Sequence, residues 1–462
     1  MTPWLRFFIF LLTASCIAQE AADWLITARY VVTMDARRRV ITDGAVAVRG
    51  DSILAVGPEA DLRKSYKPRQ TLASGDAILA PGLINTHTHA PMSLFRGIAD
   101  DLNLQDWLQK YIFPAEAKNV SPEFVRAGTR LACLEMLRGG TTTYADMYYF
   151  EEVIADETAK AGMRGVLGQT IIQFPVADAK NAAQGLARAE KYLTQFRNHP
   201  LITAAVAPHA VYTNTDETLR ATRTLADRFS APVLIHVSET RKENDDLRAK
   251  RNLSPTGLLE QLGVLNGRTL AAHEVWTSDE DIALLAKRGT GVAHCPSSNM
   301  KLASGIAPVL KLLAAGVAVG LGTDGVAGSN NDVSMFEEMD LASKLQKVSQ
   351  MDPRALPAKV AVEMATIGGA KALGMEKQIG SLEPGKRADL IAISLQEPNA
   401  VPLYDVYSQM VFALKASDVS DVFINGKQIM KSRQMLTLDS KRILAEAQVW
   451  KQRITKSLRA PE

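Results

Sequence analysis

The histidines of this chain are few, and two of them stand in a pattern that suits metal binding. Seven occur among 462 residues, and a single threonine separates His87 from His89. Residues two apart on an extended strand point to the same side, so both imidazoles can bind one cation. His236 and Asp324, each at the end of a predicted strand, complete a set of three histidines and one carboxylate. This set predicts one divalent metal ion, Zn²⁺ in the first place with Fe²⁺ as the alternative.

Such a cation lowers the pKa of a bound water to about 7, so a nucleophile becomes available at neutral pH. Asp324 can serve as both ligand and proton acceptor. Glu239 follows His236 by three residues and can donate a proton, first to a ring nitrogen and later to leaving ammonia. His273 can hold the attacking water or the developing oxyanion. The alternatives are a solvated loop glutamate and a structural histidine. The predicted fourth strand, 201–208, contains no lysine that could bridge two metals, which favours one ion.

Alternating strand and helix patterns must position these side chains. Between about residues 80 and 325, short β-branched or small-residue runs alternate with longer amphipathic stretches, as in repeated βα units around a parallel sheet. The strand-like runs number eight, which closes a (β/α)8 barrel. They cover 83–87, 141–147, 164–170, 202–207, 232–237, 269–273, 291–295 and 317–323.

Histidines gather at the predicted carboxyl ends of these strands, the face on which TIM-type barrels carry their active sites. Six of the seven lie there: His87, His89, His209, His236, His273 and His294. The seventh, His199, is expected in a solvated loop. The distribution therefore indicates a single active site at one end of the barrel.

Capping residues mark two of the intervening helices. Ser121 followed by Pro122 begins one helix, which ends at Gly139. Ser278 and Asp281 form the pattern of a capping box, and that helix ends at Gly289. Both signals support the alternation of strands and helices.

The flanks of the barrel have a different pattern. Residues 24–56 alternate apolar and polar side chains around Gly50, and Asn425-Gly426 is a pair favoured in two-residue hairpin turns. We therefore predict an α/β fold with a barrel over 81–384 and a small flanking β-sandwich domain built from both termini, 24–80 and 385–436. A C-terminal helix within 437–462 is expected to cover that β-domain.

Composition limits the partners. The chain is 47% apolar, and 53 basic against 50 acidic residues leave a net charge of +3 without a long basic run, which argues against nucleic acid. A small-molecule substrate is expected, and the sequence leaves a homo-oligomer open. Cys133 and Cys295 are expected to be packing residues rather than a disulfide.

The first residues are typical of a targeting segment. Arg6 precedes an apolar run over 7–12, and small residues follow it. We predict a cleaved signal peptide over 1–18 and an exported, periplasmic protein. Alternatively, Cys16 becomes a lipid-anchored N-terminus, which would be the chain's contact with a membrane.

The sequence as a whole resembles the amidohydrolase superfamily, in the branch of methylthioadenosine and S-adenosylhomocysteine deaminases, guanine and cytosine deaminases and triazine hydrolases. The motifs that carry the resemblance are Pro81-Gly82-Leu83-Ile84-Asn85-Thr86-His87-Thr88-His89, His236 with Glu239, His273-Glu274, Ser298-Asn299-Met300-Lys301, Gly322-Thr323-Asp324-Gly325 and Gly385-Lys386-Arg387-Ala388-Asp389-Leu390. Within the branch, 93–101 and 299–302 are most similar to adenosine-type deaminases.

This resemblance implies specific roles for residues in the predicted site. One metal would be bound by His87, His89, His236 and Asp324, with Glu239 and His273 in proton transfer and water orientation. Glu116 matches the carboxylate that accepts hydrogen bonds from ribose, and His209 matches a second substrate contact. Trp107 and Met92 would supply apolar walls for a purine, with the core of a lid helix as their alternative role.

The chain departs from its relatives at one point. Related deaminases commonly carry a substrate-contacting arginine near the end of the third strand, where this chain has Gly168-Gln169-Thr170. The nature of the group on the 5′ carbon of the substrate is therefore left open.

The predicted activity is metal-dependent hydrolytic deamination, which releases ammonia from C6 of adenosine, methylthioadenosine or S-adenosylhomocysteine. The first alternative is the same site acting on guanine, a pterin or a chlorinated triazine. An exported peptidase or cyclic-amide hydrolase, which usually relies on two metals, comes next. The last alternative is a silent barrel used as a binding scaffold.

Overall fold

The computed structural model describes residues 19–459, and much of this range is β-structure. Its strands are β1 (Glu20–Val32), β2 (Val40–Arg49), β3 (Ser52–Pro58), β4 (Tyr66–Ala73), β5 (Ala77–Pro81), β6 (Leu83–Thr88), β7 (Thr141–Tyr148), β8 (Arg164–Ile171), β9 (Ile202–Pro208), β10 (Val233–Val237), β11 (Thr269–His273), β12 (Gly291–His294), β13 (Val319–Leu321), β14 (Leu390–Ser394), β15 (Val419–Ile424), β16 (Lys427–Lys431) and β17 (Gln434–Met435).

The α-helices of the same range mostly follow the barrel strands. They are α1 (Glu59–Ser65), α2 (Leu104–Asp106), α3 (Phe113–Asn119), α4 (Pro122–Arg138), α5 (Glu151–Ala161), α6 (Ala182–Gln195), α7 (Asp216–Phe229), α8 (Arg241–Arg251), α9 (Pro255–Gln261), α10 (Asp279–Arg288), α11 (Pro296–Lys301), α12 (Val309–Ala314), α13 (Met335–Gln350), α14 (Ala358–Glu363), α15 (Gly369–Ala372), α16 (Val406–Ser408) and α17 (Ser440–Arg459). The predicted caps are confirmed: the Ser121 hydroxyl accepts the first-turn bond of α4, and Ser278 and Asp281 form the capping box of α10.

The eight strands from β6 to β13 pair in chain order as a parallel barrel, as predicted. The seam between β13 and β6 is joined by individual hydrogen bonds: the Thr86 hydroxyl donates to the carbonyl of Leu321 (2.8 Å), and the Asp324 N–H donates to the carbonyl of His87 (2.9 Å). The eighth strand, Val319–Leu321, is shorter than the predicted 317–323. Regular strand pairing ends at Leu321, and the chain then turns so that Asp324 meets the first barrel strand.

Glycine makes this seam sterically feasible. A Cβ atom at Gly322 would lie 2.8 Å from the Cβ of His87, closer than packed carbon atoms approach. A side chain at this position would push the loop away from β6. The glycine that precedes Thr323 and Asp324 in the recognised motif thus allows the first and eighth strands to meet.

The flanking domain is built from both ends of the described chain, as predicted. Its sheet has the order β17-β16-β15-β14-β5-β1-β2-β3, with β4 beside β1. The sheet folds over an apolar core of its own, in which the rings of Trp24 and Phe423 meet edge to face at 5.3 Å. Asn425 and Gly426 have φ angles of 48° and 69°, and their turn joins β15 to β16 as the predicted hairpin.

A buried ion pair connects the two domains at the amino end of the barrel. Arg164, the first residue of β8, donates from Nε and Nη2 to the two carboxylate oxygens of Asp389, at 2.9 and 3.2 Å. The same guanidinium reaches Asn425, and the Asn425 N–H donates to Asp389 (2.7 Å). Both charged side chains are only 3% exposed, and the third guanidinium nitrogen, Nη1, donates to the carbonyl of Pro200 (3.3 Å).

The C-terminal helix lies on the barrel, so the prediction that it covers the β-domain is wrong. Helix α17 packs against α3 and α4, where Trp450 meets Phe124 edge to face at 5.5 Å. Its buried residues Ile443, Trp450 and Ile454 form the apolar stripe that faces these helices. The position follows from complementary apolar surfaces, which the helix pattern alone does not reveal.

Other predictions concern cysteines and membrane contact. Cys133 and Cys295 are buried free thiols, as expected for packing residues. Within 19–459, every helix is too short or too polar to cross a bilayer. The predicted signal segment and Cys16 lie outside the described residues, so export and lipid anchoring stay predictions.

Candidate metal centre and active site

Ligand atoms from three histidines and one aspartate converge at the carboxyl end of the barrel. His89 Nε2 lies 3.3 Å from His236 Nε2 and 3.3 Å from Asp324 Oδ1. His87 Nε2 lies 3.4 Å from the same oxygen. Atoms at the corners of a tetrahedron, about 2.0–2.1 Å from a zinc ion, are about 3.3 Å apart. Three of the six donor–donor distances within the predicted set therefore match the spacing that one tetrahedral cation requires.

Backbone carbonyls orient two of these imidazoles. His89 Nδ1 pairs with the carbonyl of Met147 and His236 Nδ1 with the carbonyl of His209, each at 2.7 Å. Because a carbonyl only accepts, each Nδ1 is the protonated nitrogen, and Nε2 is left free to bind a metal. His87 Nε2 is buried with no hydrogen-bond partner, as expected for an atom reserved for a ligand.

The electrostatics of the cluster also fit a cation. Burial lowers the pKa of His87 to about 4 and that of His236 well below its usual value, so both rings are neutral. For His89, burial acts in the same direction, but the hydrogen bond and charge of Asp324 outweigh it and raise the pKa to about 9. A proton shared beside Asp324 occupies the place that a metal ion would take.

The loop that carries Asp324 is held in an unusual conformation. Asp324 has a φ of 63°, in the left-handed region that non-glycine residues rarely adopt. The Ser298 hydroxyl donates to Oδ2 and the Gly325 N–H donates to Oδ1, both at 2.7 Å. These two bonds fix the carboxylate so that Oδ1 faces the histidines.

A cavity opens beside the cluster. Every residue predicted to be catalytic or to contact substrate lines it: Glu116, Glu239, His209, His273, Asp324, Trp107 and Met92. His89 and His236 also face it, whereas His87 lies deeper.

Glu239 and His273 lie together at the edge of this cavity. Glu239 Oε2 is 3.9 Å from His273 Nε2, and both side chains are buried. Burial raises the pKa of Glu239 above its usual value, against the opposing influence of His273. His273 Nδ1 pairs with Asn299 Oδ1 at 3.1 Å, and this bond fixes the ring. The pair can hold a proton next to a reacting atom in the cavity.

His273 also lies close to the metal-binding cluster. Its nitrogen, with those of His87 and His236, forms a second group within 4.8 Å. His273 and Glu274 have φ angles of 79° and 45°. Backbone strain of this kind concentrates at functional sites.

Two tyrosines hold Glu116, and the sequence analysis did not identify them. Tyr148 donates to one carboxylate oxygen at 2.6 Å and Tyr149 to the other at 3.4 Å. Burial raises the pKa of Glu116 to about 7, although both phenols act against the shift. Their position at the carboxyl end of β7, on the active-site face of the barrel, could have identified these tyrosines from the sequence. The ring of Tyr148 also approaches that of His89, at 6.4 Å.

Trp107 and Met92 are both core residues and part of the cavity wall, the two alternatives that the sequence left open. Both are buried within the core and also face the cavity. Trp107 Nε1 donates to the carbonyl of Ala327 at 2.9 Å. This bond connects the helical segment Trp107–Ile112 to the loop that follows β13.

Three residues singled out in the sequence lie outside the cavity lining. His294, at the end of β12, is buried without hydrogen-bond partners on either nitrogen and does not line the cavity. Gln169 is buried and donates to Asp178 (2.9 Å), whereas the neighbouring Thr170 lines the cavity. His199 accepts the N–H groups of Leu201 and Ile202 in its loop.

Comparisons with known proteins agree with this geometry. A model described as "Amidohydrolase family" matches residues 78–429, and one described as "Imidazolonepropionase-like composite domain, bacteria" matches 44–66. The 5-methylthioadenosine/S-adenosylhomocysteine deaminase of Thermodesulfovibrio yellowstonii is 45% identical over 94% of this chain and 99% of its own length. Deaminase 1 of the same name from Syntrophus aciditrophicus is 44% identical over 96% of this chain and 100% of its own.

A solved structure is also similar over nearly the whole chain. The crystal structure of an adenosine deaminase from Xanthomonas campestris, with bound zinc, shares 43% identity and superposes with a TM-score of 0.92. The match covers 95% of this chain and 100% of that one.

Proposed function

The chain belongs to the amidohydrolase family, and from this premise we propose that it is a metal-dependent deaminase that hydrolyses the C6 amino group of adenine nucleosides and releases ammonia. The observation that carries the proposal is the single cavity in which the histidine–aspartate cluster, Glu239 and Glu116 face one another. The relatives named above as deaminases support the same reaction class.

Zinc is the proposed metal. Three donor–donor distances within the set match the spacing of a tetrahedral site, and the comparison structure from Xanthomonas campestris is described with bound zinc. When bound there, a divalent cation would lower the pKa of a water molecule towards 7 and so make a nucleophile available.

The protein residues supply the proton transfers. Asp324 is buried with its carboxylate ionised, because the bonds and charges of His87 and His89 lower its pKa against the opposing effect of burial. It can therefore accept the proton that the attacking water loses. Glu239, whose pKa is raised by burial, can deliver a proton to N1 of the purine. His273, beside Glu239, can orient the water.

The remaining lining residues position the nucleoside. Glu116 keeps lone pairs free after accepting from Tyr148 and Tyr149, and these can accept hydrogen bonds from the two hydroxyls of a ribose. Trp107 and Met92 form apolar walls for the purine ring. His209 lies beside His236, with ring centroids 4.7 Å apart, and offers a second polar contact.

A substrate panel on the zinc-loaded protein tests the activity. Ammonia should be released from adenosine or methylthioadenosine, with inosine-type products detected by the loss of absorbance of the adenine ring. Guanine and a pterin should give no ammonia, and a chlorinated triazine should release no chloride. Preference for any of these other rings would contradict the proposal.

Glu239→Gln tests the proton transfer separately from metal binding. We expect kcat to fall by about 10²–10⁴-fold, the usual contribution of a positioned acid–base group. Zinc content, measured by elemental analysis, should stay at one ion per chain. Glu260→Gln is the matched control, because this glutamate pairs with Arg288 on the outside of the barrel. Near wild-type turnover by Glu239→Gln would reject the assignment.

A further inference from the structure

The acidic side chains that line the cavity are not matched by lysine or arginine. They are the carboxylates Glu116, Glu239 and Asp324, and neither lysine nor arginine belongs to the lining within the described range. The rest of the lining is apolar, aromatic, histidine or threonine.

Basic residues near the lining in the chain face other partners. Three of them lie within two positions of a lining residue and form ion pairs outside the cavity: Lys110 with Asp106, Arg241 with Asp245 and Lys301 with Asp100. A fourth, Lys118, is exposed on α3. Away from the proposed metal ion, an anionic ligand group in the cavity would therefore have to draw a basic side chain out of an existing ion pair or from the surface.

Several neutral donors of the cavity are also in use. Tyr148 and Tyr149 donate to Glu116, and Trp107 donates to a backbone carbonyl. Thr170, Tyr212 and His209 remain as donors, and none of them offers the permanent positive charge of a lysine or arginine that would balance a full negative charge in a partly desolvated site.

From this lining we propose that the site selects adenine nucleosides whose 5′ group carries no negative charge, such as a hydroxyl or a thioether, and discriminates against a carboxylate or a phosphate there. The inference deepens the proposed function and rests on it. An amino-acid tail carries an ammonium, which can pair with a cavity carboxylate, and a carboxylate, which finds no cation. The cost of leaving that carboxylate unpaired is what discriminates.

Steady-state kinetics of the full-length, zinc-loaded protein test this rule. We expect kcat/KM for S-adenosylhomocysteine and adenosine 5′-monophosphate to be about 10- to 100-fold below that for methylthioadenosine, the penalty of an unpaired polar group. Equal values for methylthioadenosine and S-adenosylhomocysteine would overturn the inference alone. Ammonia from none of the adenine nucleosides would overturn the proposed function as well.

A matched pair of ligands separates charge from size. 5′-(3-Aminopropylthio)adenosine has the tail of S-adenosylhomocysteine without its carboxylate. We expect its kcat/KM to lie near that of methylthioadenosine. If it reacts as poorly as S-adenosylhomocysteine, tail length and not charge causes the discrimination, and the inference is wrong.

Discussion

The two ends of the barrel are made from the same eight strands and differ in how their polar groups are satisfied. At the amino end, Arg164 and Asp389 are buried and fully paired with each other and with Asn425. At the carboxyl end, His87 Nε2 is buried without a partner, and left-handed backbone angles occur at four neighbouring site residues. These are Ser238, His273, Glu274 and Asp324, with φ of 53°, 79°, 45° and 63°.

This contrast teaches that stability and chemistry are separated along the barrel axis. Unpaired ligand atoms, strained backbone and buried carboxyls with raised pKa all oppose folding, and they gather where a ligand can satisfy them. The closed ion-pair network lies at the opposite end, where it joins the two domains. Substitutions at the two ends should therefore affect different measurements.

The largest expected effect is the loss of activity in Asp324→Asn. The amide binds metal weakly and cannot accept a proton, so we expect kcat/KM to fall by about 10⁴-fold. The unfolding free energy of the metal-free protein, from chemical denaturation, should change by much less than the corresponding activation energy of about 5 kcal/mol. A loss of stability of equal size would remove the contrast between the two ends.

At the amino end, Arg164→Met should act on stability. Removing one partner leaves the Asp389 carboxylate buried and unpaired, which destabilises by about 3–5 kcal/mol. Denaturant unfolding measures this change, and kcat/KM per folded molecule should stay that of the wild type.

The double variant Arg164→Met/Asp389→Leu is the control for this experiment. Because it removes both charges, it should regain much of the lost stability. If the double variant is as unstable as the single one, packing and not the unpaired charge explains the loss.

The carboxyl end should also show a pH dependence that Glu243→Gln removes. Burial, reinforced by the charges of Glu239 and Glu274, raises the pKa of Glu243 from 4.5 to about 8. The folded state then holds a proton that the unfolded state releases, so wild-type stability falls as pH rises from about 4.5 to 8. The glutamine keeps the acceptor for the Glu239 N–H. In this window, the unfolding free energy of the variant relative to that of the wild type should rise by about 1.4 kcal/mol per pH unit.

Unfolding of the metal-free proteins at a series of pH values measures this gain. Glu260→Gln serves as the control, because the hydrogen bond of Arg288 lowers the pKa of Glu260, and its difference from the wild type should be flat above pH 5. A pH-independent difference for Glu243→Gln would refute the prediction.

The smallest expected effect belongs to Tyr148→Phe, which sharpens the description of the carboxyl end. The loss of the 2.6 Å hydrogen bond should loosen Glu116 and lower kcat/KM for adenosine by about 10-fold. Turnover of 2′,3′-dideoxyadenosine should be unaffected, since it lacks the hydroxyls. Tyr149→Phe, which removes a 3.4 Å contact, should have a smaller effect. Equal losses with both nucleosides would indicate a general disturbance of the pocket.

Sequence patterns predicted the barrel and the convergence of its histidines because both follow from local rules. Strand periodicity places His87 and His89 on one face, and parallel strands bring their carboxyl ends to one edge. The same rules could not separate His294 from the site histidines, because the packing of the whole barrel decides whether a side chain at a strand end faces the cavity. They also placed α17 on the wrong domain, since its apolar stripe fits more than one surface.

The amino-acid sequence by itself determined the order of the strands, the caps of α4 and α10, the hairpin at Asn425 and the residue types of the metal-binding set, because each depends on neighbours close in the chain. Only the tertiary structure decided the 3.3–3.4 Å spacing of the donor atoms, the tyrosines on Glu116 and the absence of cations from the cavity lining within the described residues. These features join side chains that lie far apart in sequence, and their relative positions are set by packing of the whole barrel.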